Sequence, residues 1–214
     1  MIEIEWLVTE GDWIEKNTTL CHIKGDQRAI LSAERVALNF LQTLSSTATK
    51  TRLLVDKISH TQCQLLDTRK TIPNLRQAQK QAVIIGGGVN HRFGLFDAIM
   101  IKENHIDILG SITNAVKLAK QQNHNLPLIV EVENLTQLKE ALSLPIDRIL
   151  CDNFSIDLLK QAVELSKGKI PLEASGNIDE NNIIQIAKTG VNFISTGSIT
   201  KNIQAIDLSL IIEK

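Results

Sequence analysis

From Gln64 onward, short apolar runs alternate with stretches of helical periodicity, and this alternation constrains the fold more than anything else in the chain. Parallel strands joined by crossover helices require such a pattern. The strand cores read as Gln64 to Leu66, Val83 to Ile85, Ala98 to Ile101, Leu128 to Val132, Arg148 to Cys151, Leu172 to Ala174 and Phe193 to Ser195. Helices are expected to start near Pro73, Ser111, Leu135, Ile156 and Asp179. The class is α/β, and about seven strands suit a (β/α) barrel, complete or incomplete. In such a barrel the chemistry sits beyond the carboxyl ends of the strands. Asp67, Lys102, Glu133, Asp152, Ser175 and Thr196 each fall at or just after the end of an expected strand.

The first fifty-odd residues differ in character. Ile2 to Leu7 alternates like an edge strand, Glu10-Gly11-Asp12 reads as a turn, and Thr19 to Lys24 reads as a second strand closed by Gly25. Trp6 and Trp13 are expected to cover this small sheet. Ser32 reads as the cap of a helix whose apolar positions Val36, Leu38, Leu41, Leu44 and Ala48 recur at near-helical spacing. The expected organisation is a partial α+β sheet domain with its linking helix over 1–57, an α/β barrel over 58–202, and a segment over 203–214 that returns to the small domain.

The stretch from Leu66 to Ile106 crowds together Asp67-Thr68-Arg69-Lys70-Thr71, Gly86-Gly87-Gly88, Asn90-His91-Arg92 and Lys102-Glu103-Asn104-His105. A packed core would not use them, because buried charge is costly unless it is paired or holds a ligand. The stretch reads as an anion-binding active site. The triple glycine lacks the lysine and hydroxyl of a P-loop and reads as a loop passing close to substrate. Small residues at Ser175-Gly176-Asn177 and Thr196-Gly197-Ser198 end the last strands, where barrels commonly bind phosphate. Glu131 and Glu133 share a strand face, so spacing alone does not choose between them. Asn153 reads equally as a helix cap and as a ligand contact.

Composition excludes several classes. A net charge of −1 over 214 residues argues against a general nucleic-acid or membrane surface. The chain has no Tyr and only five Phe, which offers no aromatic platform for bases. Cys21, Cys63 and Cys151 lie far apart with no C-x-x-C spacing and no signal peptide, so no disulfide is expected and the protein reads as cytoplasmic. No apolar run approaches the roughly 20 residues that span a bilayer. His91 and His105 lack a third ligand at zinc spacing, and His22, His60 and His124 read as surface or linker histidines.

These motifs resemble, in order, those of the quinolinate phosphoribosyltransferases, also called nicotinate-nucleotide pyrophosphorylases (carboxylating). The resemblance rests on Ser32-Ala33-Glu34-Arg35, Leu38 to Gln42, Asp67 to Thr71, Gly86 to Arg92, Ile101 to His105, Glu131-Val132-Glu133, Cys151-Asp152-Asn153, Glu173 to Asn177 and Ser195 to Ser198. It runs from about Trp6 to the last residues. Family members carry a longer amino-terminal segment before the position of Trp6, and they usually have glycine in place of Ser46, a change expected at a turn.

The resemblance implies transfer of a phosphoribosyl group from phosphoribosyl pyrophosphate to quinolinate with loss of CO₂, giving nicotinate mononucleotide for NAD biosynthesis. It implies that Arg35, Arg69, His91, Arg92 and Lys102 line the dicarboxylate pocket, with Thr68 beside them and Lys70 near both ligands. It also implies that Glu131, favoured here over Glu133, and Asp152 face the ribose and help hold Mg²⁺, directly or through ribose or water. Ser175, Gly176, Asn177, Thr196, Gly197 and Ser198 would take phosphate. No organic cofactor is expected. Arg35 would reach the neighbouring subunit's site, which implies a homodimer or higher homo-oligomer. Two other readings stay open: an inactive fragment serving as an assembly partner, and a relative using another aromatic acid.

Overall fold

The computed structural model describes residues 1–122 and 125–212; His124 and the last two positions of the carboxyl-terminal segment lie outside them. Strands β1 (Ile2–Trp6) and β2 (Cys21–Gly25) form an antiparallel pair in which Trp6 faces Cys21. Helix α1 (Gln27–Ile58) follows. Then come β3 (Gln64–Leu66), α2 (Arg76–Ile85), β4 (Ile99–Ile101), α3 (Glu103–Leu109), α4 (Ile112–Gln122), β5 (Leu128–Val132), α5 (Leu135–Ala141), β6 (Arg148–Asp152), α6 (Ile156–Ser166), β7 (Leu172–Ser175), α7 (Ile183–Ala187), β8 (Phe193–Ser195) and α8 (Ser198–Lys201).

The six strands from β3 to β8 form one parallel sheet in the order β3-β8-β7-β6-β5-β4. Every residue of β5 is buried, as befits a parallel strand covered on both faces. Leu65, Val130, Val132, Ile149, Leu172 and Ile194 from the strands meet Leu54, Ile58, Leu138, Leu159 and Ile183 from the helices in one core. Burying each such side chain contributes roughly 1.5–3 kcal/mol. Cys63 and Cys151 belong to this core, and burial pushes both thiols up to about 12.

The barrel-like reading holds, with one strand corrected. Val83 to Ile85 is not a strand but the last turn of α2, closed by the Gly86 N–H donating to Ala82 O at 3.0 Å. Gln79, Lys80, Ala82 and Val83 are buried together while Ile84 is exposed, a helical period that a short β-branched run conceals. In the gap Val89 makes a single parallel bridge to Leu66. Among the described residues the ladder is therefore open between β3 and β4.

Helix α1 starts earlier than expected. Its cap is Asp26, whose carboxylate accepts from the Ala29 N–H at 3.0 Å; Ser32 lies inside the helix and donates to Arg28 O. Asp is as good a cap as Ser, and the helical pattern alone does not say which comes first. Ser46 is likewise mid-helix and not at a turn. It is buried, and its hydroxyl donates to Gln204 O at 2.6 Å. With Ile206 N–H donating to Gln42 O, this bond lays the carboxyl-terminal segment along α1.

Two residues of the triple glycine, Gly86 and Gly88, are required by packing. A Cβ at Gly86 would lie 2.4 Å from Ala48 O, and one at Gly88 would lie 2.8 Å from Thr51 Cγ2. The glycines let the end of α2 press against α1. Trp6 and Trp13 do not cover the small sheet but stand 56% and 60% exposed, because an isolated two-stranded ladder buries neither face.

Candidate active site

The parallel register brings Leu66 level with Ser195, Ser195 with Ser175, and Ser175 with Asp152. Asp67, Lys102, Glu133, Asp152, Ser175 and Thr196 consequently emerge on the carboxyl edge of the sheet. Two turns close over one end of it. Thr68 Oγ1 accepts from the Lys70 N–H at 3.1 Å, and Thr200 Oγ1 donates to Lys70 O at 2.7 Å. Gly197 packs against this turn, since a Cβ there would meet Lys70 Cδ at 3.1 Å and Thr68 Oγ1 at 3.4 Å. Thr68 and Lys70 are thus brought to the Thr196–Ser198 turn, where Thr196 Oγ1 donates to Ile178 O and accepts from the Ser198 N–H.

The neighbouring turn needs glycine on steric grounds. Gly176 has φ +102°, and a Cβ on it would fall 2.1 Å from Asn153 Oδ1. Asn153, itself at φ +55°, donates to Asp152 Oδ2 at 2.7 Å and lies 3.4 Å from Asn177 Nδ2. It does not cap α6, a role taken by Ser155, whose hydroxyl accepts from the Leu158 N–H.

Arg69 is exposed and Arg92 half-buried. Burial draws the Arg92 guanidinium below its ordinary range and the nearby Arg69 charge acts in the same direction, while Asp97 and Glu131 oppose both. Arg92 is positioned by its Nη1 donating to Ala98 O at 3.1 Å. His91 is buried, with Nδ1 accepting from the Arg92 N–H at 2.7 Å and Nε2 lying 3.3 Å from Glu173 Oε2. Both ring nitrogens are thus turned toward protein groups, although Nε2 makes no hydrogen bond. Glu173 is fully buried; burial favours its neutral form, but His91, Ser195 and Arg148 outweigh it and hold the carboxyl below the usual glutamate range.

Lys102 Nζ donates to Glu131 Oε2 at 2.5 Å. Glu131 is almost fully buried, whereas Glu133 lies past the end of β5 and is exposed, so the two do not share a strand face. Burial pushes the Glu131 carboxyl up, Asp152 and Glu103 push the same way, and the Lys102 ammonium opposes them. Arg92 feels the charges of both Arg69 and Glu131, and Glu131 those of Lys102 and Asp152, so cations and carboxylates meet around the Lys102–Glu131 pair. A buried carboxylate whose ionisation is disfavoured, with a second carboxylate near enough to add to that, suits a cation or sugar hydroxyls beside them. His105 Nδ1 accepts from the Lys102 N–H at 3.1 Å, which starts α3.

Arg35 is not brought into this cluster. It lies on the exposed first part of α1, roughly 16 Å along the helix from buried Ser46 at 1.5 Å per residue. Several site residues escape the reading of the sequence. Arg76 donates to Arg69 O at 3.0 Å and to Phe93 O at 2.9 Å, tying the two cationic turns together. Lys80 is fully buried and pairs with Asp67. Arg148 reaches Glu173 at 3.0 Å and stacks over Phe193. The one local signal for Lys80 was its place on the apolar face of α2, three residues before Val83.

Residues 1–45 match the model of the quinolinate phosphoribosyl transferase N-terminal domain, and residues 47–211 match that of the C-terminal domain. The chain is 41% identical to a chloroplastic nicotinate-nucleotide pyrophosphorylase (carboxylating) of Oryza sativa subsp. japonica, over 99% of this chain and 62% of that protein. An Arabidopsis thaliana protein of the same name is 42% identical over 99% of this chain and 66% of its own length. The chain therefore spans less than two thirds of these plant relatives. The structure of the nicotinate-nucleotide pyrophosphorylase from Francisella tularensis superposes with a TM-score of 0.95 at 53% identity, over 97% of this chain and 74% of that one. Matches to both domain models, from residue 1 to residue 211, place the chain in the quinolinate phosphoribosyltransferase family.

Proposed function

We propose that the chain transfers a phosphoribosyl group from phosphoribosyl pyrophosphate to quinolinate and releases nicotinate mononucleotide, pyrophosphate and CO₂. The observation that carries this reading is the Lys102–Glu131 contact of 2.5 Å, which puts the cationic and acidic halves of the site side by side. Arg69, Arg92 and Lys102 supply the forks and ammonium that two ring carboxylates need. A substrate with one carboxylate would leave a half-buried guanidinium unpaired. His91, its Nδ1 taken by the Arg92 N–H and its Nε2 facing Glu173, shapes the pocket wall and orients Arg92 through its backbone.

In the proposed reaction the ring nitrogen bonds to the anomeric carbon while the bond to pyrophosphate breaks. The carboxylate beside the nitrogen then leaves as CO₂, its bonding electrons held on the ring carbon by the adjacent quaternised nitrogen, and a proton from water takes the vacated position. Glu131 and Asp152 face the ribosyl centre, bind its hydroxyls and stabilise the positive charge that develops there. Lys70, beside Gly197, reaches the phosphate side, and Ser175 to Asn177 with Thr196 to Ser198 offer backbone amides and hydroxyls. Mg²⁺ arriving with the pyrophosphate would be held by Glu131 and Asp152, directly or through ribose or water, and would neutralise the leaving group. Positioning and electrostatics carry the catalysis, without a covalent enzyme intermediate.

The reading includes a homodimer in which Arg35 reaches the partner's pocket, and a cytoplasmic setting supported by thiols that stay unpaired. Among the described residues no helix is long and apolar enough to cross a membrane. The test is to incubate the purified chain with quinolinate, phosphoribosyl pyrophosphate and Mg²⁺ and to follow both products. Nicotinate mononucleotide and CO₂ in equal amounts are expected. A folded protein that yields neither overturns the reading.

A further inference from the structure

Lys80 and Asp67 are both fully inaccessible, and the proposed reaction uses neither. A buried charge pair of this kind adds little net stability over well-packed apolar residues, so its presence calls for another reason. Its contacts supply one. Asp67 Oδ1 accepts from Lys80 and, at 2.8 Å, from the His91 N–H. The Asn90 amide, oriented with its nitrogen inward, reaches Asp67 Oδ2 at 2.7 Å and Lys80 O at 2.9 Å. Lys80 Nζ also donates to His91 O at 2.8 Å and sits 4.9 Å from the centre of the Phe93 ring. Asp67 is followed directly by Thr68, Arg69 and Lys70, and residues 90–93 include His91 and Arg92. Both cationic turns of the pocket are anchored at one buried point.

We propose that Asp67 and Lys80 are a positioning pair that sets the spacing between Arg69 and Arg92, and thereby the fit of the aromatic dicarboxylate. Neither touches substrate. The proposal rests on the site reading above for its substrate, but its geometric core concerns only the two turns. Removing one partner leaves an uncompensated buried charge and destabilises the fold whatever the pair is for. Removing both separates positioning from stability.

The experiment compares Lys80→Met, Asp67→Asn and the double variant K80M/D67N with the unaltered chain. Each single variant lowers the melting temperature, and the double variant recovers most of that loss. In the double variant the KM for quinolinate stays raised by on the order of tenfold to a hundredfold, while the KM for phosphoribosyl pyrophosphate stays within about twofold. Amide hydrogen exchange, read independently of turnover, accelerates over 68–71 and 90–93 and stays unchanged in β5 and β6. A double variant with a normal quinolinate KM, or with both KM values raised alike, overturns the proposal. So does unaltered exchange in both turns. If the parent chain shows no turnover, the substrate reading fails, and the exchange measurement still decides whether the pair anchors the turns.

Discussion

Lys102 and Glu131 carry the sharpest single-residue expectations. Lys102 is the cation in direct contact with the acidic side of the site, and it is exposed enough that its loss should leave the fold intact. Lys102→Ala should reduce turnover on the order of 10²–10³-fold and lower the melting temperature, because buried Glu131 loses its counter-charge; near-normal turnover would refute its role. Glu131 offers a pH test. Burial, then Asp152 and Glu103, raise its carboxyl above the unfolded value despite Lys102. Folding therefore favours the protonated form, so its contribution is present below the unfolded glutamate pKa and is lost as pH rises through the higher folded value. Glu131→Gln should raise the melting temperature at neutral pH, lose that advantage below the ordinary glutamate range, and nearly abolish activity. A variant less stable than the parent at neutral pH would show that the Lys102 pair outweighs burial.

Among elements, the contact of α2 with α1 decides where the pocket cations sit. Gln79 donates to Thr47 Oγ1 and Thr200 O and accepts from the Ile72 N–H, so one side chain of α2 ties α1, α8 and the turn after β3 together. The same contact depends on Gly86, where a Cβ would lie 2.4 Å from a backbone oxygen. Gly86→Ala should cost roughly 1–3 kcal/mol by forcing the helices apart, measured as a lower urea midpoint. Gly110 has φ +77° but open space around it, so Gly110→Ala should show only the smaller cost of the strained backbone. Equal losses at the two positions would mean that conformation, not helix approach, governs both.

For the whole molecule, the chain has a well-filled core and an uncovered front. Ile4, Trp6, Leu7 and Trp13, with Leu31, Val36 and Phe40 on α1, are all more than a third exposed. Exposed apolar residues in such number suit an interface, and the dimer proposed above would cover them. Sedimentation should return about twice the 23.8 kDa chain mass, and Trp6 and Trp13 emission should shift to the red when the assembly is diluted apart. A monomer whose emission does not change with concentration rules the dimer out.

What the sequence determined by itself is what depends on neighbours along the chain. Alternating apolar runs place β3, β5, β6, β7 and β8 within a residue or two, and with them the strand-end residues from Asp67 to Thr196, because period and punctuation are local properties. Local signals were too short where two elements compete: Val83 to Ile85 suits a strand or a helix until Lys80 and Gln79 are seen to be buried on the same face. Only the tertiary structure decided what the glycines of Gly86 to Gly88 approach, that Trp6 and Trp13 stay exposed, that Glu131 and not Glu133 meets Lys102, and that Asp67 and Lys80 hold both cationic turns. Those outcomes depend on which distant groups exclude water and supply a counter-charge, and pairs such as Lys102 with Glu131 or Glu173 with His91 are set by the order of strands in the sheet, not by any spacing along the chain.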